Sequence, residues 1–190
     1  MTSFFSMRTR FVAGLLLAAG CGFVDDTSSG GTPAQAPPAA DAQTWLDAHN
    51  AVRRNAQPPP PSPLPPLTWS SDAASVAQAW ADRCNYAHNA GRGVRGENIA
   101  ADAPPGALTP QSVVSAWASE VADYNYATNT CTAGKDCGHY TQIVWRDTTR
   151  VGCAHRTCST NSPFGTQYPN WDFWVCDYEP PGNWVGQKPY

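Results

Sequence analysis

Charge is scarce in this chain. Asp, Glu, Lys and Arg make up 14% of its 190 residues, where about a quarter is usual. The few charges do not lean basic: twelve Lys and Arg face fifteen Asp and Glu. Without a basic stripe the chain lacks the electrostatic term that drives binding to phosphate backbones, so nucleic acid is excluded as a partner. No HExxH is present, and no GxSxG, so neither a zincin helix nor a serine elbow is on offer. The apolar stretch Phe11 to Ala19 falls far short of the ~20 residues that a membrane-spanning helix needs.

What is plentiful is cysteine and tryptophan, seven and eight residues respectively. Such a load of cross-links and bulky rings fits a disulfide-stapled domain outside the cytoplasm. Residues 1–21 explain how it gets there, because Arg8 and Arg10 precede the apolar stretch and small residues follow it, as in a secretion signal. Cys21 directly follows Ala18, Ala19 and Gly20, a sequence like the bacterial lipoprotein box. Lipidation of Cys21 is expected, since it leaves six cysteines, an even number that can all pair. Any contact with a membrane would then run through that anchor alone. With Arg8 and Arg10 removed, ten basic residues face fifteen acidic ones.

Residues 22–40 are small, polar and rich in Pro and Gly, a composition too poor in apolar surface to fold, and read as a flexible tether. The remainder, 41–190, is long enough for one well-buried domain. Its first helix places Trp45, Ala48, His49 and Val52 on one face. The prolines of 58–66 end it. A second helix follows Ser70 or Ser71 and carries Ala73, Val76, Ala77, Trp80 and Cys84 as its stripe. A third starts at Thr109–Pro110 and runs through Tyr124, with Glu120 pointing almost the same way as Val113. After it, TQIVW, VGCAHRTC and WDFWVCDY read as strands. The run from His139 alternates like a pleated strand, with His139, Thr141, Ile143 and Trp145 on one face. Helices first and strands afterwards predict an α+β domain with an antiparallel sheet.

Four residues break their local patterns: His139 opens a strand, Glu120 sits on an apolar helical face, and His88 and Glu97 flank a glycine-rich loop. Each alone has a plain structural explanation, as a satisfied core histidine, a snorkelling glutamate or a solvated loop residue. Together, two imidazoles and two carboxylates are the donor set of a divalent-metal site or an acid–base pocket.

GENIA, WASEVADYNY, GHYTQIVW, RVGCA and WVCDYEPPGNWVGQKPY occur in that order. As a set they resemble the CAP superfamily (SCP domain), named for cysteine-rich secretory proteins, antigen 5 and pathogenesis-related class 1 proteins. The likeness spans Thr44 to Tyr190 and is strongest to the plant pathogenesis-related class 1 branch. It implies an α–β–α sandwich with a central antiparallel sheet and an open cleft. It maps the family's cleft residues onto His88, His139, Glu97 and Glu120, as ligands for zinc or another divalent metal. It also implies the pairings Cys84–Cys158, Cys131–Cys137 and Cys153–Cys176, among which the residues alone do not choose. His49 and His155 are left as packing or surface residues. The nine positions from His88 to Glu97, holding Arg92 and Arg95, the proline-rich segment and the loop 159–170 depart from the plant pattern and are expected to alter the cleft rim.

The function expected is a secreted or lipid-anchored binding module of defence or interaction type, its cleft holding a divalent metal, with a sterol or other lipid, or a cell-surface protein, as partner. The competing expectation is a zinc-dependent, protease-like hydrolase in which Glu97 or Glu120 polarises a bound water and is thereby catalytic. Two histidines fall short of the usual three protein ligands of a catalytic zinc. The C-terminal PPGNWVGQKPY resembles a peptide that plant relatives release as a signal; packing of this tail through Trp184 and Tyr190 is the expectation preferred.

Overall fold

The computed structural model describes residues 40–190. The secretion signal, Cys21 and the tether lie outside the described residues. The elements run α1 (Ala40–Arg54), β1 (Thr68–Trp69), α2 (Ser71–Ala81), β2 (Gly96–Asp102), α3 (Pro110–Ser119), a 3-10 turn (Glu120–Asp123), β3 (Tyr124–Asn125), β4 (Thr130–Cys131), α4 (Gly138–Ile143), β5 (Arg150–Cys158) and β6 (Trp171–Glu179).

Local chemistry sets the helix starts. Ser70 Oγ accepts from Ala73 N at 3.1 Å to cap α2, and Thr109 and Ser112 cap each other's backbones before Pro110 opens α3. The main sheet has the order β1-β5-β6-β2. Helices cover both of its faces, giving the α–β–α sandwich. One face carries Ile99, Ala154, Phe173 and Val175 and packs against Ala77 and Ala81 of α2. The other carries Val151, Trp174 and Tyr178 and packs against Trp45, Val113, Trp117 and Ile143 from α1, α3 and α4. Gly152 on β5 makes the first contact possible, since a Cβ there would collide with Ala74 N and Ser70 O of the α2 start.

Three disulfides form, pairing Cys84 with Cys158, Cys131 with Cys137 and Cys153 with Cys176. The first ties the end of α2 to the end of β5 and closes a separation of 74 residues. The third joins residues directly opposite in the β5–β6 ladder. Bridges of this kind stabilise by about 2–4 kcal/mol each, mainly through the unfolded chain.

Four expectations need correction. The TQIVW run is no strand: Gly138–Ile143 is the helix α4. Six residues are too few to reveal a 3.6-residue period, so alternation of β-branched and polar residues mimicked a pleat. The sheet is mixed, because the short β1 pairs parallel to β5 while the other pairs are antiparallel. The third helix stops at Ser119 and leaves Glu120 in the 3-10 turn. Glu97, expected at the flank of a glycine-rich loop, lies in the edge strand β2, which pairs along its whole length with β6. The tail is half as expected: Tyr190 stacks on Tyr126 at 4.8 Å and its hydroxyl donates to Pro58 O, whereas Trp184 is 57% exposed. Among the described residues no helix is long and apolar enough to cross a membrane.

Candidate functional site

A helix as short as α4 has nearly all its backbone groups at its ends, and both ends are satisfied by side chains from elsewhere. Glu120 serves the N-terminus: its Oε2 accepts from the amides of His139 and Tyr140, each at 3.0 Å. Its Oε1 accepts from His139 Nδ1 at 2.5 Å. The His139 ring stacks on Trp117, centroids 5.8 Å apart and planes 19° apart. A carboxylate below and an indole beside it thus fix the imidazole in orientation and tautomer. The apolar-face position that made Glu120 conspicuous in sequence is explained by its bonds to the start of α4.

Glu97 of β2 repeats the arrangement with His88. Its Oε1 accepts from His88 Nδ1 at 2.7 Å and from Asn89 N at 2.9 Å. The carboxylate is buried, while the His88 side chain is 57% exposed. In both pairs Nδ1 carries the proton given to the carboxylate, which leaves Nε2 with a lone pair for an outside group. Adjacent residues of β2 reach both pairs, with Glu97 bonded to His88 and Asn98 donating from Nδ2 to His139 O at 3.1 Å. The four residues expected from sequence therefore form two His–Glu pairs, Glu97 with His88 and Glu120 with His139, each bonded to a residue of the start of β2. Among the described residues no trio of donor atoms lying within 4.8 Å of one another contains both His88 and His139; the two trios formed are Glu120, Asp136 and His139, and His49, Cys153 and Cys176.

A cleft of about 870 Å³ opens beside the His88–Glu97 pair. His88 and Glu97, Arg92 and Arg95 of the following loop, and Glu179 to Trp184 line it, with Gln142 of α4 at its side. Residues 46–178 match the family model described as cysteine-rich secretory protein family, CAP. The chain belongs to the CAP family. Pathogenesis-related leaf protein 4 of Solanum lycopersicum is 40% identical over 152 residues, covering 78% of this chain and 82% of that protein. Peptidase inhibitor 16 of Mus musculus is 41% identical over 150 residues, 79% of this chain but only 29% of that longer protein. Among solved structures, venom allergen-like protein 4 of Schistosoma mansoni superposes with TM-score 0.61 at 26% identity, over 80% of this chain and 95% of that one. NaASP2, crystallised with Zn2+, superposes with TM-score 0.63 at 24% identity, over 84% and 90% of the two chains, a likeness of fold.

The CAP domain's other two histidines have packing roles. His49 is fully buried; its Nδ1 donates to Trp45 O at 2.8 Å and its Nε2 accepts from the Tyr178 hydroxyl at 2.8 Å. Burial drops its pKa from 6.5 to about 4. It lies near Cys153 and Cys176, but those sulfurs are joined in a disulfide and ligate nothing. His155 stacks on Trp174 at 4.0 Å and its Nε2 donates to Asp172. Asp177 is the polar group that sequence reasoning missed. It faces Glu97 across the β2–β6 ladder, wholly buried, and neither its oxygens nor Glu97 Oε2 have a hydrogen-bond partner. Burial first, and Glu97 second, push its pKa up to about 7. The clue was available: Asp177 follows Trp171, Phe173 and Val175 on one strand face, the same break of pattern that singled out Glu120.

Proposed function

We propose that this CAP domain is an exported binding module that takes a divalent metal, zinc by preference, through Nε2 of His88 and of His139, without turnover. The observation that carries the reading is the pair of carboxylate-tied imidazoles. Each Nδ1–H is held by a glutamate, the arrangement that raises ligand basicity and fixes the ring for a metal. The donor chemistry fits zinc, which favours neutral imidazole. Such an ion, when bound, supplies Lewis acidity and positions for oxygen ligands. On this reading Glu97 and Glu120 orient the histidines instead of ligating the ion.

The hydrolase alternative fares poorly on the same geometry. Both oxygens of Glu120 are engaged by two amides and an imidazole, so it has little basicity left for a water. The unpartnered Oε2 of Glu97 is sealed from solvent. Neither is placed as a general base.

A second reading concerns apolar ligands. Ala48 and Val52 of α1 and Val114 and Ala118 of α3, with Val121, line a mostly apolar groove of about 480 Å³, which suits a sterol or other lipid better than the polar cleft does. A cell-surface or protein partner and a lipid anchor at Cys21 complete the proposed setting, in keeping with a family of secretory proteins.

Zinc titration by calorimetry tests the first reading. Wild type is expected to bind one ion, the His88→Ala/His139→Ala variant none, and Glu120→Gln about 10–100-fold more weakly, with no zinc-dependent hydrolysis of peptides or esters by any of them. Zinc-dependent turnover lost in the double variant would overturn it. Lipid capture that survives in that variant would assign the lipid to the α1–α3 groove.

A further inference from the structure

Three of the chain's ten arginines, Arg92, Arg95 and Arg150, line the cleft beside His88, although the chain as a whole is acidic. Two of them are held rigidly. Gly93, at φ +67°, turns the loop so that Arg92 Nε donates to Arg95 O at 3.0 Å and Arg95 Nη1 donates back to Arg92 O at 3.1 Å. Arg92 Nη1 also donates to Asn89 O at 2.8 Å. These bonds engage one edge of each guanidinium and leave other N–H groups of the fork free. Arg95 and Arg150 share Glu179. Arg92 faces only carbonyls, and among the described residues no carboxylate lies within ion-pair range of it.

Most acceptors on the wall are already engaged, and the unpartnered Glu97 Oε2 is sealed from solvent. Glu179 takes Arg95, Arg150 and Ser70; the Gln142 oxygen takes Gly182 N, and the Asn183 oxygen takes Thr141 Oγ1. Apart from the lone pair of His88 Nε2, the cleft therefore offers mainly donors, and its three arginines outnumber its two carboxylates, Glu97 and Glu179. Opposite polarity is provided by Trp184, more than half exposed on the same wall, and by Val94, 87% exposed. An exposed indole beside pre-organised guanidinium forks matches a ligand with an oxyanion on a flat ring.

We propose that the loop 89–96 and Trp184 form a subsite for an acidic saccharide, the carboxylate or sulfate held by Arg92 and Arg95 and the sugar face stacked on Trp184. It adjoins His88 of the proposed metal site but does not rest on that proposal, because the binding is expected with a chelator present.

The test is calorimetric titration in EDTA with five probes: a sulfated disaccharide, a uronate-containing disaccharide, a neutral disaccharide, inorganic sulfate and an acidic peptide. Both acidic disaccharides are expected to bind, the neutral one not measurably, and sulfate at least tenfold more weakly. Arg92→Gln and Trp184→Ala are each expected to weaken the acidic disaccharides about tenfold, while Arg156→Gln, outside the cleft, changes nothing. Trp184 is exposed, so its variant folds even if the arginine loop is disturbed; thermal melts check both. Equal binding of neutral and acidic disaccharides, Trp184→Ala without effect, or tighter binding of an acidic peptide that ignores Trp184 would each overturn the proposal.

Discussion

Replacing Arg53 with alanine is expected to destabilise the domain by about 3–5 kcal/mol. The side chain is 1% exposed. Its Nε donates to Pro65 O at 2.8 Å, and its Nη1 to Ile143 O at 2.8 Å and Trp145 O at 2.7 Å. Nη2 reaches Thr148 O at 3.3 Å. Burial pulls its pKa down from 12.5 to about 10, so it remains charged at neutral pH. One cation thus satisfies the C-terminal carbonyls of α4 and the loop beyond, where a positive charge also complements the helix dipole. Alanine would leave these buried carbonyls without donors and open a cavity; lysine, a point charge without the fork, should recover only part of the loss. Urea unfolding measures it. A loss below about 1 kcal/mol would mean that α4 is held by other contacts.

The second large effect is a pH dependence that wild type conceals. Asp177, with its pKa raised from 3.8 to about 7, binds its proton more tightly folded than unfolded. Its stabilising contribution is complete below pH 3.8 and is lost as pH rises through about 7. His49 runs the other way: with its pKa lowered from 6.5 to about 4, its contribution is present above pH 6.5 and is lost as pH falls through about 4. Protonating His49 would require Nε2 to donate to a Tyr178 hydroxyl that now donates to it and already accepts from Asn98. Between pH 4 and 6.5 the two slopes oppose each other. Asp177→Asn removes one of them and offers an amide to the unpartnered Glu97 Oε2. The variant is expected to match wild type near pH 4 and to exceed it by roughly 2–4 kcal/mol above pH 7, read from melting at a series of pH values. Lower stability of the variant at every pH would contradict the assignment.

Both effects depend on contacts that span long stretches of sequence, and that is where sequence reading stopped. α2 and α3 were legible because their signals are local: Ser70, Thr109 and Pro110 mark the starts, and alanine, valine and tryptophan stripes mark the buried faces. β5 and β6 were legible from their β-branched and aromatic runs. α4 was not, because the groups that make it a helix, Arg53 and Glu120, lie 90 and 19 residues away from the ones they bond. β2 was hidden because its run GENIAAD has no clean alternation, being covered on both faces despite its edge position. Glu120 and His139 were rightly noticed as misfits, but their local setting was misread. A carboxylate under a helix start looks, in sequence, like a charge on an apolar stripe. The disulfide pairing came from family resemblance alone, and the three bridges of the structure agree with it.

The claim on which the functional reading depends is that two glutamates hold two imidazoles by Nδ1 and leave Nε2 to a metal. Nitrogen-15 side-chain spectra of the four histidines at neutral pH test it directly. His88, His139 and His49 should each show a protonated Nδ1 and a bare Nε2, and His155, which donates from Nε2 to Asp172, the reverse. Added zinc should then shift Nε2 of His88 and His139 and leave His49 and His155 unmoved. Zinc that shifts His155, or that leaves both His88 and His139 unchanged, would contradict the account.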